Sequence, residues 1–306
     1  MKRDLISLND LSLETIQGYL ALATQVESMP DAERRRLLAG KILAVLFYEP
    51  STRTRLSFES AMFRLGGNVL GFSETGSTSV AKGESLADTI RTVEQYADIL
   101  VIRHPKEGTA RLSAASCSIP VINAGDGTNQ HPSQTLLDLY TIRKLFGKIS
   151  GLRIAFAGDL KYSRTVHSLL QALGKFGDVR FEFVSPESLR MPSYLRDGLK
   201  GTGCTYRETV DLAAAVAECD LIYMTRIQKE RFPDVLEYEK VKDAYCIDAR
   251  LLKGAPSHLR ILHPLPRVNE ISPDVDSTVH AAYFPQVGNG VIMRQAILLD
   301  LLGVKP

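Results

Sequence analysis

The chain reads as an α/β protein with two doubly wound parallel-sheet domains of similar size, joined by interdomain helices. Three observations predict this. At 306 residues it has about the length of two average domains. Short apolar, β-branched runs recur along its whole length. Between them lie stretches whose apolar residues repeat at helical spacing. Strands that alternate with helices in this way pair in parallel, with the helices packed on the sheet faces.

In chain order, the first half carries strand runs at 42–47, 69–72, 99–102 and 121–122. Between them, residues 52–65 form a helix with Leu56, Met62 and Leu65 as its apolar residues. Residues 85–97 place Leu86, Ile90, Val93 and Ala97 on one helix face. An amphipathic stretch over 132–150, ending at Gly147 and Gly151, forms the seam. The second half has strand runs at 154–157, 181–184, 221–224, 246–247 and 261–262, with helices at 164–176 and 208–217. A last helix over 285–302 carries Met293, Ile297 and Leu301. The predicted domains are therefore 1–132 and 151–285, with 133–150 as a linking helix and 286–306 packing back on the first domain.

Charge narrows the partners. There are 37 Lys and Arg against 35 Asp and Glu, a net charge of +2. That balance gives no reason to expect nucleic acid or a membrane surface, so any anion site must be local. The longest apolar run, 42–48, falls far short of the roughly 20 residues that span a bilayer. No N-terminal run resembles a secretion signal, and the expected location is cytoplasmic. The cysteines Cys117, Cys204, Cys219 and Cys246 are widely spaced. They are expected to be reduced and mostly buried, with no metal site.

Polar residues that follow a strand are the first place to look for chemistry in an open α/β sheet. Glu49-Pro-Ser-Thr-Arg-Thr-Arg55 follows the first strand and opens a helix. Arginines in a first helical turn oppose the helix dipole, and a bound anion would resolve that conflict. The plainer alternative is a capped helix whose arginines pair with Glu49 and Glu59. Arg103 ends the 99–102 strand, and His131 and Gln134 open the 132–150 helix. A histidine at that helix start is expected to be neutral and to donate a hydrogen bond to a carbonyl. In the second half, Gly158 stands where a dinucleotide site needs three glycines, and Arg164 opens the next helix. Met224-Thr-Arg226-Ile-Gln228 and His263-Pro-Leu265-Pro266-Arg267 end two further strands. No Walker loop, Ser-His-Asp set or metal-ligand spacing is present. Arginines, histidine, amides and hydroxyls suit transfer between charged metabolites by positioning and electrostatics.

Taken together, Phe47-Tyr-Glu-Pro-Ser-Thr-Arg-Thr-Arg55, His131-Pro-Ser-Gln134, Ser79 with Lys82, Arg226-Ile-Gln228 and His263-Pro-Leu-Pro-Arg267 resemble the transcarbamoylase family. Within it they are most similar to the aspartate transcarbamoylase catalytic chains. The resemblance runs over the whole chain. The ornithine branch carries a cysteine where Leu265 stands, together with an acidic loop; neither is apparent here. Arg164, Arg226 and Gln228 suit two carboxylates instead. A non-catalytic binding protein on the same fold is the alternative of a different class.

The resemblance implies formation of N-carbamoyl-L-aspartate and phosphate from carbamoyl phosphate and L-aspartate, in pyrimidine biosynthesis, with no cofactor and no metal. It implies that Ser51, Thr52, Arg53, Thr54, Arg103 and Gln134 hold the phosphate. Thr54, Arg103 and His131 would polarise the carbamoyl carbonyl, with Leu265 and Pro266 also at this substrate. Lys82, Arg164, Arg226 and Gln228 would bind aspartate. It implies a homotrimer with shared sites, each receiving Ser79 and Lys82 from a neighbour's loop; the lysine is the firmer of the two. It also implies a loop over 226–240 that moves as the domains close, and a cis Leu265–Pro266 bond. Some members add zinc-bearing regulatory chains, and a partner of that kind stays open.

Overall fold

The computed structural model describes residues 3–73, 83–227, 234–241 and 244–306. The chain divides into two compact units, Met1–Tyr140 with Gly288–Pro306, and Thr141–Val287.

In the first unit the strands are β1 (Ile42–Phe47), β2 (Asn68–Phe72), β3 (Ile99–His104) and β4 (Val121–Asp126). They form a sheet in the order β2-β1-β3-β4, parallel throughout. The helices of this part of the chain are α1 (Leu13–Ser28), α2 (Asp31–Arg34), α3 (Thr52–Arg64), α4 (Leu86–Val93), α5 (Thr109–Ser116) and α6 (Pro132–Phe146). The central strand β1 is buried from Leu43 to Phe47. A strand covered on both faces has no need to alternate apolar and polar residues. That is why its sequence is an unbroken apolar run.

The second unit carries β5 (Arg153–Ala157), β6 (Arg180–Val184), β7 (Thr205–Thr209), β8 (Leu221–Met224) and β9 (Arg260–Leu262). Their order is β7-β6-β5-β8-β9, again all parallel. Here lie α7 (Arg164–Phe176), α8 (Ser193–Asp197), α9 (Leu212–Glu218) and α10 (Val235–Val241); α11 (Tyr283–Leu301) follows. Phe156 sits at the centre of an aromatic core, with ring centroids 5.9 Å from Phe181 and 5.7 Å from Tyr223. No described helix is long and apolar enough to cross a membrane.

Four expectations change. Strand β7 was not legible because Thr-Tyr-Arg-Glu-Thr lies at a sheet edge, half exposed, with no apolar run. Cys246–Ile247 is not a strand; Ile247 makes a single parallel bridge to Ile271. Only Cys219 among the cysteines is buried, and Cys246 is exposed. The 226–240 stretch is not loop throughout, because α10 begins at Val235.

The carboxyl ends of β5 and β8 are locked together. The Thr225 amide donates to the Ala157 carbonyl at 2.9 Å, and the Asp159 amide donates to Thr225 Oγ1 at 3.2 Å. Gly158 lies between them with φ +110°, and a Cβ there would stand 2.2 Å from the Thr225 carbonyl oxygen. Neither that approach nor that φ suits a side chain. Gly158→Ala should therefore cost about 1–3 kcal/mol. Its check is a lowered urea midpoint of the folded chain, and an unchanged midpoint would refute the close approach.

Candidate active site

Each sheet has one place where neighbouring strands send the chain in opposite directions. In the first it lies between β1 and β3, because β2 flanks β1 on the other side. In the second it lies between β5 and β8, because β6 flanks β5. Crossover helices leave such a pair on opposite faces, so a crevice opens beyond the strands' carboxyl ends. Several of the predicted residues stand at these strand ends. Ser51–Thr54 and Arg103 follow β1 and end β3; Arg164 and Arg226 follow β5 and β8.

In the first unit, β1 and β3 end level with each other. Phe47 pairs with Arg103, and the Tyr48 amide donates to the Arg103 carbonyl at 2.9 Å. This register puts Glu49 beside Arg103, whose guanidinium donates to the Glu49 carboxylate and, at 3.2 Å, to the Ala124 carbonyl. The Arg103 Nε–H is buried and has no protein acceptor.

Helix α3 starts differently from α1, α4 and α9. Those three are capped by Ser12, Ser85 and Asp211, whose side chains accept a backbone N–H of the first turn. Ser51 makes no such cap, and α3 has no acidic residue in its first turn. Arg55 pairs with Glu59 at 2.6 Å, as the plainer reading expected, while Arg53 is exposed in the first turn. Thr54 is buried, and its Oγ1 lies 3.5 Å from His131 Nε2; Ser133 Oγ lies 3.5 Å from His131 Nδ1.

The loop that leads to His131 hangs on the buried Asp126. That carboxylate accepts from the Asn123 and Asn129 amides, and from the backbone N–H groups of Gly108 and Gln130, at 2.9 to 3.1 Å. Gln134 gives its amide N–H to Asp138 at 2.9 Å. Burial and the nearby Lys106 charge hold the His104 ring below its usual pKa, and it packs on Tyr48.

The second unit repeats the pattern. Asp159 Oδ1 accepts the Lys161 and Tyr162 amides, which turns the chain toward α7. His167 Nε2 donates to the Leu160 carbonyl at 2.8 Å, and burial keeps its pKa low. Ser163 precedes α7 without capping it, and Arg164 stands in a first turn that carries no acid. After β9, the Leu265–Pro266 bond is cis as expected, and Leu265 has φ +56°. His263 closes this turn from inside. Its Nδ1 accepts the Leu265 amide at 2.7 Å, and its Nε2 donates to buried Glu270 at 2.7 Å. Ser79, Lys82 and Gln228 lie outside the described residues.

The structure therefore brings Thr54 and His131 together, and Glu49 with Arg103. Asp126, Asp138 and Glu270 support the predicted residues but carried no strong sequence signal, whereas His263 stood in the motif after β9. Only the four-residue spacing of Gln134 and Asp138 on a helix could have pointed to one of these contacts. Among the described residues no group of three or more His, Cys, Asp or Glu is arranged to hold a metal ion.

Uncapped, arginine-bearing helix starts stand at both switch points, an arrangement suited to an α/β enzyme of small charged substrates. Comparison with known proteins agrees. A family model described as "Aspartate/ornithine carbamoyltransferase, carbamoyl-P binding domain" matches residues 3–144, and one described as "Aspartate/ornithine carbamoyltransferase, Asp/Orn binding domain" matches 150–301. The aspartate carbamoyltransferase catalytic subunit of Thermococcus onnurineus (strain NA1) is 59% identical over 303 residues, covering 99% of this chain and 97% of that one. The solved catalytic subunit of M. jannaschii aspartate transcarbamoylase superposes with a TM-score of 0.92 at 53% identity, covering 99% and 98% of the two chains. Aspartate transcarbamoylase from Trypanosoma cruzi in complex with carbamoyl phosphate and aspartate gives 0.91 at 39% identity, covering 97% and 96%. The chain belongs to the aspartate/ornithine carbamoyltransferase family.

The His263–Glu270 pair should show in the acid stability of the chain. Burial alone would raise the Glu270 carboxyl; the hydrogen bond from His263, with backbone N–H donors, brings it below its ordinary 4.5. The carboxylate thus favours folding above about pH 4.5, and that contribution is lost as pH falls through the lower folded value. Glu270→Gln is expected to lower the thermal midpoint at neutral pH and to flatten its fall below about pH 5. Parallel midpoint curves for wild type and variant would contradict the pair.

Proposed function

We propose that this chain is an aspartate carbamoyltransferase catalytic subunit, joining carbamoyl phosphate and L-aspartate into N-carbamoyl-L-aspartate and phosphate. The family places this reaction early in pyrimidine biosynthesis. The observation that carries the reading is the pair of uncapped, arginine-bearing helix starts at the two switch points. Residues 1–132, with helix 286–306, form the carbamoyl-phosphate domain and 151–285 the aspartate domain, with 133–150 between them. The relatives reported above are named for aspartate, and ornithine is set aside.

The phosphate sits on the first turn of α3, held by Ser51, Thr52, Arg53 and Thr54 and by Arg103. The free N–H groups of that turn and the guanidinium charges suit a dianion. Arg103 gives up Glu49 for the substrate. Thr54, Arg103 and His131 donate to the carbamoyl oxygen as charge builds on it, and Gln134, Leu265 and Pro266 border the same group. The α-amine of aspartate attacks the carbonyl carbon. The C–O bond to phosphate then breaks, and the leaving phosphate takes the proton that the amine loses. This chemistry needs neither a cofactor nor a metal. Arg164, Arg226, Gln228 and a neighbour's Lys82 take the two carboxylates of aspartate.

A closed ring of three copies fits an apolar stripe in the first unit. Leu56 and Phe63, seven residues apart on one face of α3, are each 57% exposed. The face that would seat a neighbour thus belongs to the helix whose start holds the phosphate. A regulatory chain stays open as a further partner.

Purified protein should transfer a carbamoyl group to aspartate. Arg53→Ala should slow this by ~10²–10³, and activity within threefold of wild type would reject the phosphate assignment. Arg226→Ala should raise the aspartate requirement while leaving carbamoyl-phosphate binding nearly intact; equal losses for both substrates would count against the division of labour.

Subunit mixing tests the shared site. Arg53→Ala and Lys82→Ala chains are each expected to be inactive. Reassembled at equal ratio, a site works only where a Lys82→Ala chain receives its loop from an Arg53→Ala neighbour. Random mixing makes that about one site in four for a closed ring. A Lys82 that serves its own chain would recover nothing, and activity of Lys82→Ala alone would mark it as a solvated loop lysine.

A further inference from the structure

Behind Gln134 the core of the first unit holds two opposite charges. Asp138 is fully buried on α6, one turn after Gln134, and accepts that residue's amide N–H at 2.9 Å. Arg294 reaches the same core from α11; it donates to Ser57 Oγ at 2.8 Å and lies over the Phe58 ring at 5.0 Å. Burial pulls the Arg294 guanidinium down to about 10, and the Asp138 charge is what acts against that pull. Ser57 and Phe58 belong to α3, the helix that begins at Ser51.

A carboxylate only accepts hydrogen bonds, whereas an amide has a donor end and an acceptor end. Facing Asp138, Gln134 must turn its NH2 inward, because the reverse would set two oxygens against each other. The end left for a ligand is therefore the amide oxygen. A doubly ionised phosphoryl group offers only acceptors, and so does an acyl carbonyl. On carbamoyl phosphate, the one group that can donate to an outward amide oxygen is the carbamoyl NH2.

We propose that Asp138, balanced by Arg294, is a positioning residue that fixes the Gln134 amide with its oxygen outward and so selects an acyl phosphate bearing N–H over one bearing a methyl group. This rests on the carbamoyl-transfer reading. Gln134, expected from the sequence at the phosphate, then faces the acyl substituent.

The test compares carbamoyl phosphate with acetyl phosphate, which is matched in shape but lacks the N–H donors, as substrates with aspartate. The readout is the ratio of their kcat/KM values. Gln134→Met should lower that ratio by roughly tenfold or more, the scale of a lost hydrogen bond to an otherwise unpaired polar group. Asp138→Asn frees the amide to turn over and should lower the ratio as well. Adding Gln134→Met to it should lower the ratio little further. Loss of a merely structural residue would slow both substrates alike and leave the ratio in place, and that result overturns the proposal. Where Asp138→Asn alone does not fold, Asp138→Asn with Arg294→Gln removes both charges and is measured in its place. Failure of that double variant to fold also overturns the proposal, because the pair would then be scaffold. The two readings fail differently. Wild type unable to transfer a carbamoyl group sinks the proposed function, whereas an active wild type with an unmoved ratio in the variants sinks only this inference.

Discussion

In each sheet the chain leaves its first strand, builds outward on one side, and later returns to pair on the other side of that same strand. Neighbouring crossovers of fixed hand then run down opposite faces. Between them the carboxyl ends of β1 and β3, and of β5 and β8, stay uncovered. Every later feature depends on that reversal. Arg103 meets Glu49 because Phe47 and Arg103 are in register across it. The Asp159–Arg164 turn meets Thr225 because Gly158 lets the backbone come close across the second reversal.

The helix starts at these openings are electrostatically mismatched as they stand. A cation in the first turn of a helix costs about 0.3–1 kcal/mol against the dipole when exposed. In α1 and α4 the chain places acids and caps there, Glu14 with Ser12 and Asp88 with Ser85. At α3 and α7 it does neither. Within the chain, the opposing charge comes to Arg103 from Glu49 and to Arg55 from Glu59. Glu59 sits on the helix itself beside Arg55, whereas Glu49 lies in the loop after β1.

Much of this was legible in the sequence because buried parallel strands and helix faces are written as apolar periodicity. The run Ile42–Phe47 matches β1 residue for residue, and the 164–176 pattern matches α7. What escaped carries its signal in hydrogen bonds rather than in apolar spacing. Strand β7 is polar and half exposed, and the last residues of β4, including Asn123 and Asp126, pair through backbone and amide contacts. Several of the residues proposed to touch a ligand were visible as cations in the wrong places. Those that hold them were not, since Asp126, Glu270 and Asp138 are ordinary acids until folding brings their donors round them.

Arg294 and Asp138 show what such residues cost. Moving two charges from water into a packed core carries a desolvation penalty that their attraction often fails to recover, and an apolar pair of similar volume is commonly as stable or more so. Stability therefore gives no account of why the core behind α3 and α6 holds a guanidinium and a carboxylate. An apolar residue in place of Asp138 would leave the Gln134 amide free to present either end, or both in turn, to whatever lies in front of it. A buried carboxylate leaves it one choice. The charge on Arg294 then makes that carboxylate tolerable in the core, and its bond to Ser57 ties the same arrangement to the helix whose first turn is proposed to hold the phosphate. The penalty of two buried charges is spread through the first unit, while its effect is felt at a single amide oxygen.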